Sequence, residues 1–409
     1  MQSDNDSAAD PATDPAIGAV LEELAERLTS VTATTIGFPA ASDVDFGVLS
    51  RFFDRHLLNN LGDPFVDGAY PQHTKGLERE VVDIVGDLMR APAADRWGYV
   101  TTGAGEGNLF ALQVARELYP RALVYHSEGS HYSVNKAVDL LDMASITIRT
   151  EESGAMDLHD LAAQVGRHRD RAVVIVANIG TTMTEAVDDV RRINHVLDAL
   201  AIRRRYVHAD AALSGLPLAL MDPDTRPGFD FADGADSIIV SGHKFLGTPL
   251  PCGVVVVRSS RRNQLTRSGG YTGSPDTTIT CSRSGHAVLM LWYALRRYGV
   301  DGLRARAEQA RELARYTHRR LLDMGWECSY NSPGFTVVLA TPPAAITERW
   351  ALASSHGQSH IVCMPGVRRA QIDEFLAELR SAAHTAPLVS VPAGRRSPGL
   401  RRATPANVA

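Results

Sequence analysis

The chain is 409 residues long, 44% apolar and 22% charged, with a formal net charge of −5. This is the composition of a globular protein, long enough for one big domain plus a smaller one or added lobes. It excludes the basic field that draws a chain to nucleic acid or anionic lipid, so a small molecule or another protein is the expected partner.

No apolar run approaches the ~18 residues of a membrane span. The start MQSDNDSAADPATDPA is acidic and polar rather than basic and then apolar, so a cytoplasmic location without a membrane partner is expected. Cys252, Cys281, Cys328 and Cys363 lie far apart with no CxxC pair, which predicts reduced thiols, no zinc site and no disulfide framework.

Residues 1–15 and 391–409 are rich in Pro, Ala, Ser and Asp or Arg, lack apolar periodicity, and read as disordered tails. The Arg pairs of the second tail suit a solvated end or an anionic partner. Between the tails, five short apolar runs predict strands covered on both faces: RALVYHS (121–127), RAVVIVANIG (171–180), RRYVHADAAL (204–213), DSIIVSGH (236–243) and CGVVVVRS (252–259). EGNLFALQVARELY, LHDLAAQVGRH and VRRINHVLDALAI carry apolar residues at three- and four-residue spacing and predict helices between them. The alternation is that of an α/β protein whose large, mostly parallel sheet is sandwiched by helices. After Gly299 a long helical stretch, then TVVLATPP, HIVCMP and a closing helix, predict a small α+β lobe with a boundary near 295–305.

Four segments at the carboxyl ends of strands carry chemistry, because an open α/β sheet collects its ligand there. In YVTTGAGEGNLFAL a strand meets a helix through Gly103-Ala104-Gly105, where backbone amides can approach a phosphate; a tight packing turn has the same sequence. In SEGSHYSVNKAVDLL, His131 precedes a helix and can lie flat on an aromatic ring or sit as a loop histidine. In YVHADAALSG, Asp210 ends an apolar strand, and a buried carboxylate needs a cationic partner such as a protonated pyridine nitrogen; a turn-capping aspartate is the plain alternative. In SGHKFLG, Lys244 follows Ser241 and His243, which can donate to phosphate; a desolvated lysine forms a Schiff base with an aldehyde, whereas most single lysines are surface residues. Phosphate loop, flat imidazole, carboxylate and lysine in this order describe a receptor for pyridoxal 5′-phosphate.

TTGAGEGN, HYSVNKAVDLL, ANIGTTMTEAVDDV, HADAALSG, SGHKFLGTPLPCGVVV, SRSGHAVLMLW and HGQSHIVCMP resemble the group II pyridoxal-phosphate amino-acid decarboxylases over about Gly37 to Leu379. Within that family the short bacterial histidine decarboxylases are the most similar and the plant serine decarboxylases next. The resemblance implies a fold type I (aspartate aminotransferase-like) enzyme, with an N-terminal helical segment (16–60), a large cofactor-binding domain (61–300) and a small C-terminal domain (301–390). It implies Lys244 as the Schiff-base lysine, Asp210 on the pyridine nitrogen, His131 stacked on one ring face and Ala212 packed on the other. Phosphate would be held by the backbone at Ala104 and Gly105 with Ser241 and His243. A homodimer with its active site at the interface, or a larger homo-oligomer, is implied, with Asn59–Phe65 and Tyr271–His286 helping to form the substrate pocket.

Two departures bear on this: Ala104-Gly105 replaces the family's Gly-Thr, removing a hydroxyl donor, and Ser284 replaces an amide side chain near the expected pocket. The activity implied is decarboxylation of an L-amino acid, L-histidine to histamine foremost. Another amino acid, an aldol-type cleavage, a decarboxylation coupled to oxidative deamination, and a non-catalytic scaffold stay open. Tyr271, His131 and Lys244 are candidates for returning a proton to Cα. Lys75, Arg283 and His360 are read as solvated or structurally hydrogen-bonded and kept out of the site.

Overall fold

The computed structural model describes residues 15–262 and 270–385; the tail assignments 1–15 and 391–409 lie outside them except for Pro15, which opens the first helix. In chain order the elements are α1 (Pro15–Thr34), β1 (Asn59–Leu61), α2 (Lys75–Leu88), β2 (Trp97–Thr101), α3 (Ala104–Leu118), β3 (Leu123–Ser127), α4 (Tyr132–Leu140), β4 (Ala144–Ile148), α5 (Leu158–Arg167) and β5 (Val173–Asn178). Then come α6 (Val190–Ala199), β6 (Arg205–Asp210), α7 (Gly215–Ala219), β7 (Ser237–Ser241), β8 (Gly253–Val257), β9 (Ser282–Ser284) and α8 (Gly285–Asp323). The chain continues through β10 (Cys328–Tyr330), β11 (Thr336–Ala340), α9 (Ala344–Arg349), β12 (Ser354–Ser355), β13 (Gln358–Val362) and α10 (Arg369–Thr385).

A seven-stranded sheet in the order β2-β8-β7-β6-β5-β3-β4 forms the centre. Its pairs are parallel from β7 to β4, and β8 runs antiparallel to both its neighbours. β5, β7 and β8 are buried at every position, as their β-branched sequences require of strands covered on both faces. β4 (ASITI) has no such run; its residues are mostly exposed, as an edge strand permits, and the sequence pattern gives no sign of it.

Strand alternation divides the sheet into two faces. Val174, Val176, Tyr206, Ile239, Val255 and Val257 point into a core with α3 and α4. Val173, Ile175, Val207, Ala209, Val240, Val254 and Val256 point the other way, towards α2, α5, α6 and α8. α3 lies close on its face because Gly107 leaves room; a Cβ there would meet Ile239 Cδ1 at 2.3 Å. Asn178, Asp210 and Ser241 end the α3-facing rows of β5, β6 and β7, so the polar carboxyl end of that face sits beneath the helix starts.

The second sheet, β10-β11-β13-β12, is antiparallel. α8 crosses the 295–305 region, and within it Gly299 leaves helical geometry (φ 57°, ψ −176°). β1 pairs with β9 in a two-stranded ribbon. Beneath that ribbon Arg283 forms an ion pair with Glu78 and donates to Gly62 O at 2.8 Å, while Glu78 also accepts from Asn60 Nδ2 (2.8 Å) and Val100 N (2.9 Å). Both charges are buried. Arg283→Met should therefore cost about 3–5 kcal/mol, read as the fall in unfolding free energy in urea, because it strands a buried carboxylate.

Candidate active site

Ala104, Gly105, His131, Asp210, Ala212, Ser241, His243 and Lys244 line one cavity of about 610 Å³. They reach it from element ends: Ala104 and Gly105 at the start of α3, His131 before α4, Asp210 and Ala212 at the end of β6, and Ser241, His243 and Lys244 at the end of β7. Gly103, at φ 155°, is the N-cap of α3, and the amides of Ala104 and Gly105 open the helix, where no intrahelical acceptor exists for them. Glu106 closes this turn by accepting from Thr102 N (2.8 Å), Thr102 Oγ1 (2.7 Å) and Tyr99 Oη (2.9 Å). His131 is the N-cap of α4, its Nδ1 accepting from Ser133 N at 3.2 Å and lying 2.8 Å from Ser133 Oγ. Burial lowers its pKa, the nearby Asp210 raises it and Lys244 lowers it again.

Asp210 ends β6. Its Oδ2 accepts from Asn108 Nδ2 at 2.8 Å and its Oδ1 from Ala212 N at 3.3 Å. Lys244 lies in the turn after β7; enclosure lowers the pKa of its amine below that of an ordinary lysine, with the Asp210 carboxylate opposing the shift. The chain contains three lysines. Lys75 is buried elsewhere with Nζ on Val66 O (2.5 Å) and Asp67 O (3.2 Å), and Lys136 is exposed at the cavity's edge.

The cavity has the donors an anion requires. Ser241 Oγ is buried with no hydrogen-bond partner among the described residues, a costly state unless a ligand accepts from it. His243 sets Nδ1 against the Cys252 backbone, 3.0 Å from O and 3.2 Å from N, and its pKa is lowered by burial. An orphan hydroxyl, spare helix-start amides, a carboxylate and an amine of lowered pKa in one cavity fit pyridoxal phosphate.

Other sequence expectations fall differently. Ile279 and Thr280 of the 271–286 stretch line the cavity, whereas no residue of 59–65 does. Tyr271 is 92% exposed and lies outside the lining. Ser284 caps α8, accepting from Ala287 N at 3.1 Å, so its departure from the family pattern is met by a helix-capping task. Lys75, Arg283 and His360 are buried rather than solvated; His360 lies 3.2 Å from Met183 O and 3.0 Å from Gly37 O.

Sequence reasoning missed Asn108, Ser133, Asn178, Thr181 and Thr182. Asn178 donates to Ser127 Oγ (3.0 Å) and Asp188 Oδ2 (2.9 Å) and lines the cavity with Thr181 and Thr182. A signal for Asn108 existed: His208 interrupts the buried run of β6 two residues before Asp210, on the same face, and a buried imidazole there requires a polar partner from the covering helix.

The sheet order, its reversed β8 and the cavity at the carboxyl strand ends are those of a fold type I pyridoxal-phosphate enzyme. Its solved neighbours agree. L-methionine decarboxylase from Streptomyces sp.590 superimposes with a TM-score of 0.82 at 27% identity, covering 89% of this chain and 94% of that one. A glutamate decarboxylase from Lactobacillus brevis shares the fold with a TM-score of 0.78 at 19% identity, covering 93% of this chain and 95% of that one. Residues 61–327 match the pyridoxal-dependent decarboxylase conserved domain. A histidine decarboxylase of Mesorhizobium japonicum is 42% identical over 356 residues, 87% of this chain and 95% of that one. One from Vibrio campbellii is 37% identical over 347 residues, 84% of this chain and 89% of that one. The chain belongs to the group II pyridoxal-dependent decarboxylase family, and it is a carboxy-lyase that uses pyridoxal 5′-phosphate.

Proposed function

We propose that the enzyme converts L-histidine to histamine and carbon dioxide. The observation that carries the substrate is the 42% identity to a histidine decarboxylase along 95% of that protein's length, against 27% to the methionine enzyme. A screen of the proteinogenic amino acids for carbon dioxide release, with added cofactor, tests it. Histidine should give the highest kcat/KM; preference for serine, methionine or another amino acid overturns the substrate. Measuring aldehyde and peroxide alongside carbon dioxide separates simple decarboxylation from aldol-type cleavage and from oxidative deamination.

In this reading Lys244 anchors the cofactor through its ε-amine, whose neutral, nucleophilic form is favoured by the burial that lowers its pKa. Asp210 accepts from the protonated ring nitrogen, while His131 and Ala212 cover the two ring faces. The amides of Ala104 and Gly105 hold the phosphate with Ser241 Oγ and with His243, whose Nδ1 is tied to the Cys252 backbone and whose Nε2 is left for the ligand. The backbone amides stand in for the hydroxyl that Ala104-Gly105 lacks. Bound pyridoxal phosphate would supply the acceptor for the electron pair left at Cα when carbon dioxide departs. A proton must then return to Cα, and Lys244 and His131 both line the cavity where it is needed, whereas Tyr271 does not.

A homodimer completes this proposal. Ile17, Leu21, Leu24, Leu28 and Val31 make a stripe at alternating four- and three-residue spacing along α1, each 40% or more exposed, which is the pattern of a helix seeking a partner. Tyr132 and Leu140, exposed on α4 at the cavity, extend the uncovered surface to the site. Leu24→Asp should shift the sedimenting species from dimer towards monomer; an unchanged dimer removes α1 from the interface. No described helix is long and apolar enough to cross a membrane, and the four cysteines are free; both suit a cytoplasmic enzyme.

A further inference from the structure

We propose that Asn108 is a positioning residue whose carboxamide aligns Asp210 and turns the Ser133 hydroxyl towards His131 at once, with His208 and Ser237 holding that carboxamide in place. The inference rests on the site reading above, in which Asp210 and His131 face the cofactor.

The hydrogen-bond chain has a direction that chemistry alone dictates. Asp210 Oδ2 lies 2.8 Å from the Asn108 amide nitrogen. An ionised carboxylate only accepts, so the NH₂ end of Asn108 must face it. That orientation points Asn108 Oδ1 at His208 Nε2, 2.9 Å away. A carbonyl oxygen only accepts, so His208 carries its proton on Nε2. Its Nδ1 is then an acceptor, and Ser237 Oγ, 2.8 Å away, donates to it. Every bond from Ser237 through His208 and Asn108 runs towards Asp210. His208 is fully buried, and desolvation pushes its pKa down to about 4, in keeping with the neutral ring the chain requires.

The second hydrogen of the Asn108 amide goes to Ser133 Oγ at 3.1 Å. Ser133 Oγ lies 2.8 Å from His131 Nδ1, and Ser133 N donates to the same nitrogen. Nδ1 is thereby an acceptor, and the neutral His131 ring carries its proton on Nε2. One carboxamide thus divides its two hydrogens between Asp210 and the Ser133 hydroxyl that meets His131. Asn108, Ser237 and His208 are all buried, where a fully satisfied polar network specifies geometry and a broken one is costly. Their positions follow from the fold: Ser237 and His208 lie on the α3-facing rows of β7 and β6, and Asn108 on the turn of α3 above them.

The first test needs no turnover. Long-range ¹H–¹⁵N correlation spectra of the full-length protein labelled with ¹⁵N-histidine, without cofactor, read the tautomers directly. At neutral pH His208 and His131 should both appear as neutral Nε2–H rings, and Asn108→Ala, which frees the Ser133 hydroxyl to rotate, should shift the His131 Nδ1 resonance while the Ser133 amide keeps its proton on Nε2. A charged or Nδ1–H His208, or a His131 signal indifferent to Asn108→Ala, overturns the proposal. The second test uses conservative rescue in the holoenzyme. His208→Leu should weaken cofactor binding, read from its visible absorbance, and lower kcat by roughly 10- to 100-fold, the scale of lost outer-sphere partners. His208→Gln, whose amide can still donate to Asn108 Oδ1, should restore most of that loss; equal loss in both variants overturns the relay. Failure of the spectra with Lys244 still bearing the cofactor sinks this inference alone. Cofactor carried elsewhere sinks the site reading and leaves the relay standing as structure.

Discussion

Lys244→Ala is expected to lose the visible absorbance of lysine-bound cofactor and to reduce carbon dioxide release by more than about 10³-fold, the scale on which removal of a covalent catalytic group acts. The size follows from the chain's own inventory. Of its three lysines, Lys75 has its amine tied to two backbone carbonyls away from the cavity, and Lys136 is exposed at the edge. Neither replaces an amine held in the enclosure that lowers the pKa of Lys244. The measurement is an absorbance spectrum of the purified holoenzyme with a single-turnover assay, and retained turnover refutes the assignment. A normal circular dichroism spectrum of the variant separates lost chemistry from lost fold.

Asp210→Ala is expected to bind cofactor weakly and to slow decarboxylation by at least ~10²-fold, the loss typical of removing one preorganised electrostatic partner. Its carboxylate is fixed by the Asn108 amide and by Ala212 N, so removal also leaves the Asn108 amide without its acceptor. Asp210→Asn keeps the volume and loses the charge; it should fall close to the alanine variant in kcat while retaining more stability. Near-normal turnover in either variant contradicts a role on the ring nitrogen. Cofactor titration followed by absorbance gives the binding loss separately from the rate.

Much of the site is legible in the sequence because each chemical group ends a strongly apolar strand or opens a helix. RRYVHAD and DSIIVS carry continuous buried runs, and the residues that stop them, Asp210 and Ser241, fall at the carboxyl strand ends. What the sequence conceals is long-range pairing. β4 lacks an apolar run because it is an edge strand, and the β1–β9 ribbon joins segments 223 positions apart through three residues each. Arg283, kept out of the site, is the structurally bonded case: it neutralises buried Glu78, an acid whose burial no local pattern announces. Ser284 looks like a pocket substitution and caps a helix. Asn108 sits in a motif otherwise read for its glycines, and its role becomes visible only when α3 is laid across β6.

The most direct measurement is borohydride reduction of the holoenzyme followed by peptide mass spectrometry. A phosphopyridoxyl group on Lys244, and on neither Lys75 nor Lys136, is the expected result. The group on Lys136 or Lys75, or on no lysine at all, would contradict the assignment from which the cavity's other roles follow.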